Sequence, residues 1–224
     1  MVTKIRVLKL SMGAVMQKII ISILLILTFI CSCSKTSENP EDLINEANLL
    51  WDGKQYTDPA KAIEYLNKAI KLQPDYAETY NQRGAAYKNL GKNQPAIDDF
   101  STAIRLKPDS VLAYFNRGTV YNNMGQYKQA IDDCSQAIRL KPDYAEAYNN
   151  RGINYNKLKD YRMAIEDFNK AIKLEPNNAN AYNNRGLAYF LQNNNKLGCS
   201  DLKKACSLGF CKGLDLIKSR GYCL

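Results

Sequence analysis

The chain has no histidine among its 224 residues and a single tryptophan. Without histidine it lacks the commonest general base, the usual partner of a serine or cysteine nucleophile and the commonest metal ligand. No glycine-rich loop of phosphate-binding spacing occurs, so the usual signature of nucleotide chemistry is missing as well. The longest apolar run, Ile19 to Ile30, is twelve residues and falls short of the roughly 20 that a bilayer-spanning helix needs. Carboxylates are in deficit, 22 against 31 Lys and Arg. Nothing pairs a nucleophile with a base, so the expectation is a non-enzymatic chain with no cofactor and no bound metal.

What the sequence does have is a repeat. Asn116-Arg117-Gly118, Asn150-Arg151-Gly152 and Asn184-Arg185-Gly186 recur at an interval of 34, with Gln82-Arg83-Gly84 one step earlier. A fixed period of this size means stacked supersecondary units, each unable to bury its apolar face alone. The unit from Ala145 to Asn178 reads as two amphipathic helices. Tyr148, Gly152 and Tyr155 stripe the first; Ala164, Phe168, Ala171 and Ile172 stripe the second; Lys159-Asp160 turn between them and Pro176 ends the unit. Gly152 and Ala164 predict a close approach of the two backbones. Asp75-Tyr76-Ala77-Glu78 and Asp143-Tyr144-Ala145-Glu146 fit the capping box, and Asp109 and Asn177 offer simpler caps.

These positions resemble the tetratricopeptide repeat family. Tyr80, Gly84, Tyr87, Ala96, Phe100, Ala103 and Pro108 match its pattern in one unit, and Tyr114, Gly118, Tyr121, Ala130, Ala137 and Pro142 in the next. Arg stands where the family usually has Leu before the glycine, and Cys134 where it has a large apolar residue. The resemblance implies an all-α, right-handed superhelical solenoid of about five helix-turn-helix units. The expected divisions are a signal peptide over 1–32, a tether over 33–40, a degenerate first unit over 41–76, and units over 77–110, 111–144 and 145–178. A fifth unit over 179–210, degenerate in its second helix, and a Cys-rich capping helix over 211–224 complete the chain. The first unit carries a three-residue loop insertion around Tyr56-Thr57-Asp58.

The N-terminus sets a compartment. Lys4, Arg6, Lys9 and Lys18 precede the apolar run, as in a signal peptide, and Met16 is an alternative start. Ile30-Cys31-Ser32-Cys33 resembles the lipobox of bacterial lipoproteins, which implies lipidation of Cys33. The uncleaved alternative is a short membrane anchor. The protein is expected in the bacterial envelope, anchored by lipid and facing the periplasm or exterior, with Ser34 leaning towards the outer membrane.

Removing residues 1–32 takes away four of the 31 basic residues and none of the 22 acids, which lowers the net charge from +9 to +5. Lys71, Arg105, Arg139 and Lys173 fall at helix ends, where they suit the helix dipole. The acidic pairs Asp98-Asp99, Asp132-Asp133 and Glu166-Asp167 read as a solvated face. There is no basic stripe, so no nucleic-acid partner is expected.

Of seven cysteines, Cys134 falls at a core position and four lie near the C-terminus: Cys199, Cys206, Cys211 and Cys223. Outside the cytoplasm such a set suggests disulfides. Cys199 and Cys206 lie about 10 Å apart along one predicted helix, beyond reach of each other. An antiparallel hairpin favours Cys199–Cys223 with Cys206–Cys211; the alternative is Cys199–Cys211 with Cys206–Cys223. A metal site is the weaker competitor, because these spacings are not the tight pairs of a zinc site.

The resemblance places a ligand groove on the concave wall built from the first helix of each unit. Its lining would be Asn81, Gln82, Ala85, Lys88 and Asn89, then Phe115, Asn116, Thr119, Asn122 and Asn123. Asn149, Asn150, Ile153, Asn156 and Lys157 follow, then Asn183, Asn184, Leu187, Phe190 and Leu191. Trp51 projects to a comparable place in the first unit. A carboxamide both donates and accepts, so this ladder suits the backbone of an extended peptide, with Phe115, Ile153, Leu187 and Phe190 as apolar anchors. The chaperone-tail binders of the family clamp a terminal carboxylate with Lys or Arg. Here Asn81 and Asn149 stand where a clamp lysine is needed, and Asn116 and Asn150 match only its neutral part. The expected function is an interaction scaffold for envelope proteins; the alternative is a binder of cell-wall glycan or another small polar ligand.

Overall fold

The computed structural model describes residues 39–223, so the leader, Cys33 and the tether up to Glu38 lie outside the described residues, while Asn39 and Pro40 begin the first helix. Among the described residues eleven helices follow one another. The first hairpin is α1 (Pro40–Asn48) with α2 (Pro59–Leu72), the second α3 (Ala77–Asn89) with α4 (Asn93–Leu106). Next come α5 (Val111–Asn123) with α6 (Tyr127–Leu140), then α7 (Ala145–Lys157) with α8 (Tyr161–Leu174). Helix α9 (Ala179–Leu191) pairs with α10 (Asn195–Ser207), and α11 (Lys212–Lys218) closes the stack. Packing runs between successive helices, within a hairpin and on to the next, as a solenoid requires. Among the described residues there is no strand beyond an isolated bridge between Trp51 and Tyr56, and no helix is long and apolar enough to cross a membrane.

The capping boxes do not form. Helices α3 and α7 begin one residue later than the Asp-x-x-Glu reading requires, with Tyr76 and Tyr144 at the N-cap and no side-chain cap bond. Helices α5 and α9 are capped by Ser110 and Asn178, which accept from Ala113 N and Ala181 N, not by Asp109 and Asn177. At α7 the N-cap position packs instead of capping. Tyr144 sits half-buried there with its ring 4.9 Å from that of Phe115.

Small residues make the hairpins compact: rings lie against Gly84 and Gly152, and backbone carbonyls lie against Gly118 and Gly186. Ala96, Ala130 and Ala164 are fully buried in the second helices. A Cβ at Gly84 would lie 2.8 Å from the Phe100 ring, and one at Gly152 would lie 2.7 Å from the Phe168 ring. The glycine therefore leaves room for an aromatic ring. In the third hairpin Cys134 replaces that ring, and a Cβ at Gly118 would meet Asp133 Cβ at 3.2 Å and Ala130 O at 3.3 Å. Cys134 is fully buried, and desolvation pushes its thiol up to about 12, as befits a small core residue.

The acidic pairs are not a solvated face. Asp98, Asp132 and Glu166 are exposed, but Asp99, Asp133 and Asp167 are buried at 4–5 % exposure. Each meets the arginine that replaces the family's leucine. Arg117 donates through Nε and Nη2 to both oxygens of Asp133 at 2.8 and 2.7 Å, and through Nη1 to Ser101 Oγ at 3.0 Å. Arg151 repeats this with Asp167 and Ser135, Arg83 with Asp99 and Asn67, and Arg185 with Asp201 and Asn169. One guanidinium thus joins its own helix, the second helix of its hairpin and the second helix of the hairpin before. It also lies over ring faces: Tyr114 and Tyr121 flank Arg117 at 5.8 and 5.9 Å.

The C-terminal cysteines form two disulfides, Cys199–Cys223 and Cys206–Cys211. Leu202 of α10 with Leu214 and Ile217 of α11 make the closing core, with Leu187 and Phe190 of α9 packed against it. A seven-residue helix could not hold this position by its own propensity, so the bridges and the apolar plug supply the restraint.

The two kinds of hairpin should respond differently to one added methyl group. Gly152→Ala is expected to lower the unfolding free energy by about 1–3 kcal/mol, because the Phe168 ring must move. Gly118→Ala should stay within about 1 kcal/mol of wild type, because better helix propensity offsets the milder crowding. Urea unfolding followed by circular dichroism measures both. Equal losses would contradict this packing.

Candidate functional site

The loop insertion in the first unit builds one end of the groove. Asp52 accepts from the backbone N–H groups of Lys54 and Gln55 at 2.8 Å, and Thr57 Oγ1 donates to Leu50 O at 3.0 Å. This tight loop buries Tyr56, and Trp51 stands edge-on to it with ring centroids 5.2 Å apart. Trp51 remains 42 % exposed, free to offer its face to the groove.

Across from it, α3, α5 and the start of α7 supply the opposite wall. Together these elements enclose a cavity of about 340 Å³, lined by Trp51, Tyr56, Phe115, Tyr144, Leu112 and Lys88 together with Glu78, Asn81, Gln82 and Asn116. Burial pushes the Tyr56 and Tyr144 phenols up to about 12, so both stay neutral at ordinary pH. The cavity opens towards a second, more polar one of about 490 Å³, with Asn48, Glu78 and Gln82 common to both.

The carboxamides are in part engaged with one another. Lys88 Nζ donates to Asn116 Oδ1 at 3.1 Å, Asn116 Nδ2 to Asn81 Oδ1 at 3.3 Å, and Asn81 Nδ2 to Glu78 Oε1 at 3.3 Å. A cation and a carboxylate are thereby joined through two polarised amides. Asn184 donates to Asn149 at 3.0 Å in the same register two units on. Between these pairs the ladder breaks, because Phe115 has no acceptor to offer and stacks on Tyr144. Further along, a small cavity of about 60 Å³ is lined by Thr119, Asn122, Asn150 and Ile153.

Lys88 forms no ion pair with any described residue, and burial holds its ammonium below lysine's ordinary range. Gln82 lines both larger cavities, and its buried Oε1 has no hydrogen-bond partner among the described residues. The residues expected at the far end serve a different purpose. A Cβ on Gly213 of α11 would run into the Asn183 side chain, and Phe190 packs on Gly198 and lies 5.7 Å from Tyr222. With Leu187 they belong to the plug, so the C-terminal end of the groove is filled by the chain itself. Tyr144, Leu112 and Glu78 were not among the expected lining residues. The position of Tyr144 directly before a first helix is the signal that could have found it.

Comparison with known families follows from this geometry. Profiles described as Tetratricopeptide repeat match residues 77–110, 111–144, 145–178 and 168–204, and one described as TPR repeat matches 58–91. The chain belongs to the tetratricopeptide repeat family. Among solved structures it is similar to MamA at 30% identity and a TM-score of 0.64, covering 68% of this chain and 89% of that one. It is similar in fold to YrrB, described as a TPR protein with an unusual peptide-binding site, at 24% identity and a TM-score of 0.67, covering 85% and 97%. It also resembles the first TPR of Spaghetti (RPAP3), solved bound to the HSP90 peptide SRMEEVD, at 27% identity and a TM-score of 0.52 over 53% of this chain and 94% of that one. No curated protein sequence matches it.

The part-buried ammonium of Lys88 sets a pH test. A lysine held below its ordinary value binds its proton less well in the folded state, so folding gains stability as pH rises towards the unfolded value near 10.4. The unfolding free energy of wild type relative to Lys88→Met should therefore shift in favour of wild type between pH 7 and 9.5. A difference that stays flat with pH would show that Lys88 is as well solvated folded as unfolded.

Proposed function

We propose that the chain is a non-enzymatic scaffold that binds an extended segment of a partner protein in the groove between α1 and α7. The observation that carries this reading is the aromatic cavity of about 340 Å³ beside Trp51, Phe115 and Tyr144. Its size suits one or two anchoring side chains, and its rim keeps spare amide donors and acceptors for a peptide backbone. The similar repeat domain solved with an HSP90 peptide supports peptide binding as a use of this architecture. The repeat hairpins beyond α7 lengthen the wall, and the disulfide-closed plug blocks its far end.

The leader supports a second element of the proposal. Lipidation at Cys33 would hold the scaffold on a bacterial membrane, with Ser34 to Glu38 as a short tether before α1. The partners would then be other envelope proteins, with the outer membrane favoured over the inner one.

In-cell crosslinking of the full chain, followed by mass spectrometry, tests the groove. Proteins captured by wild type should be lost, by roughly tenfold or more, from a Phe115→Ala/Asn116→Ala variant. Capture that survives this change would move the binding surface elsewhere, and capture abolished by glycan digestion would favour a saccharide ligand. For the anchor, Cys33→Ser should abolish labelling by radioactive palmitate and release the protein from the membrane fraction. Persistent labelling would place the lipid on another residue.

A further inference from the structure

We infer that the peptide held by this groove presents an internal Asp or Glu side chain to Lys88, next to an apolar side chain seated among Trp51, Leu112, Phe115 and Tyr144. This inference rests on the peptide-binding reading above and adds the chemistry of the bound segment.

Lys88 is the centre of the argument. An ammonium has three donors, and only one is used, on the neutral oxygen of Asn116. The remaining donors face a cavity whose other walls are largely aromatic and aliphatic. A part-buried ammonium with no direct carboxylate partner is poorly compensated, and a carboxylate entering this cavity would be held by a charge-assisted bond partly shielded from bulk water. The apolar walls exclude water around that pair and give the neighbouring side chain a place to bury.

Of the groove positions, only Lys88 and Lys157 carry charge, and Lys157 is exposed on α7. Glu78 also lines the cavity, but it lies in the first turn of α3 and Lys88 in the last. Their backbones lie about 15 Å apart along the helix axis, and the side chains meet only through the Asn116 and Asn81 amides. Glu78 does not pair directly with Lys88, whose ammonium keeps two donors for an incoming anion. The amide relay points the same way, because each carboxamide is oriented by the one before it and keeps the Asn116 oxygen turned to Lys88.

The groove geometry decides between an internal side chain and a chain terminus. The cavity continues past Asn48, Glu78 and Gln82 into the second one, so a peptide can run through and need not end there. Moreover, Lys88 stands two turns along α3 from Asn81, where the terminal-carboxylate clamp of related domains would need its lysine. Gln82 lines both cavities, so its carboxamide borders the through path.

The test uses the full-length chain and a display library of random twelve-residue peptides, with the emission of Trp51 (the chain's one tryptophan) as the reporter of occupancy. Selected peptides should be enriched in Asp or Glu beside an aromatic or aliphatic residue, and synthetic copies should shift Trp51 emission on binding. Changing their acids to Asn or Gln should weaken binding at least about tenfold, as should Lys88→Met, whereas Lys88→Arg should keep most of it. Unchanged thermal unfolding of both variants would show that the fold is intact. Peptides that bind and shift Trp51 emission, but are indifferent to amidation and to Lys88→Met, would overturn the acidic-side-chain inference and leave the peptide groove standing. If no peptide binds or shifts the emission, both fall.

Discussion

Each joint of the stack turns on one buried guanidinium. Arg83, Arg117, Arg151 and Arg185 each take both oxygens of an aspartate in their own hairpin and one side-chain oxygen in the hairpin before. The arginine side chains are 18–20 % exposed and the aspartates 6–10 %. Such pairs are expensive to desolvate, and they are tolerated because the geometry is bidentate and the third donor is also satisfied. The aspartate hydrogen bond pushes Arg83, Arg117 and Arg151 further up, so these charges persist at every ordinary pH. A leucine at this position would fill the space but could not fix the angle of one hairpin on the next. The planar fork can.

Because the hairpins are fixed from within, the concave face need not contribute much to stability, and its residues vary. The register that reads Asn81–Asn116 and Asn149–Asn184 reads Phe115 between them. That substitution costs one amide bond and creates the aromatic wall with Tyr144. Similarly, the longer first loop sacrifices compactness to set Trp51 opposite Phe115, both of them lining one cavity. The cavity therefore arises where the repeat departs from its own period.

Much of this was legible in the sequence. The period of 34, the Tyr–Gly–Tyr stripes and the terminal prolines specify helical hairpins and their order, because helix packing reads only spacing and size. Less visible was the partnership between Arg117 and Asp133. Both residues repeat with the same period, yet charge alone suggests solvent, and only the meeting of two helices sixteen residues apart shows them facing inward. The caps misread for a related reason: Asp143 satisfies the local cap pattern, but Tyr144 takes the N-cap so that its ring can reach Phe115. Spacing could not separate Asn183 and Phe190, covered by the plug, from Asn81 and Lys88 at the cavity, since Asn183 shares its repeat position with Asn81 and Phe190 with Lys88.

A double-mutant cycle on Arg117→Leu and Asp133→Leu measures the guanidinium joint directly by equilibrium unfolding. Each single change should cost about 2–4 kcal/mol, because it leaves an uncompensated charge in a dry site. The double variant should lose clearly less than the two together, with a coupling of at least about 1.5 kcal/mol. Single losses below about 0.5 kcal/mol that simply add would contradict the account, and the stack would then rest on its alanines and aromatic rings alone.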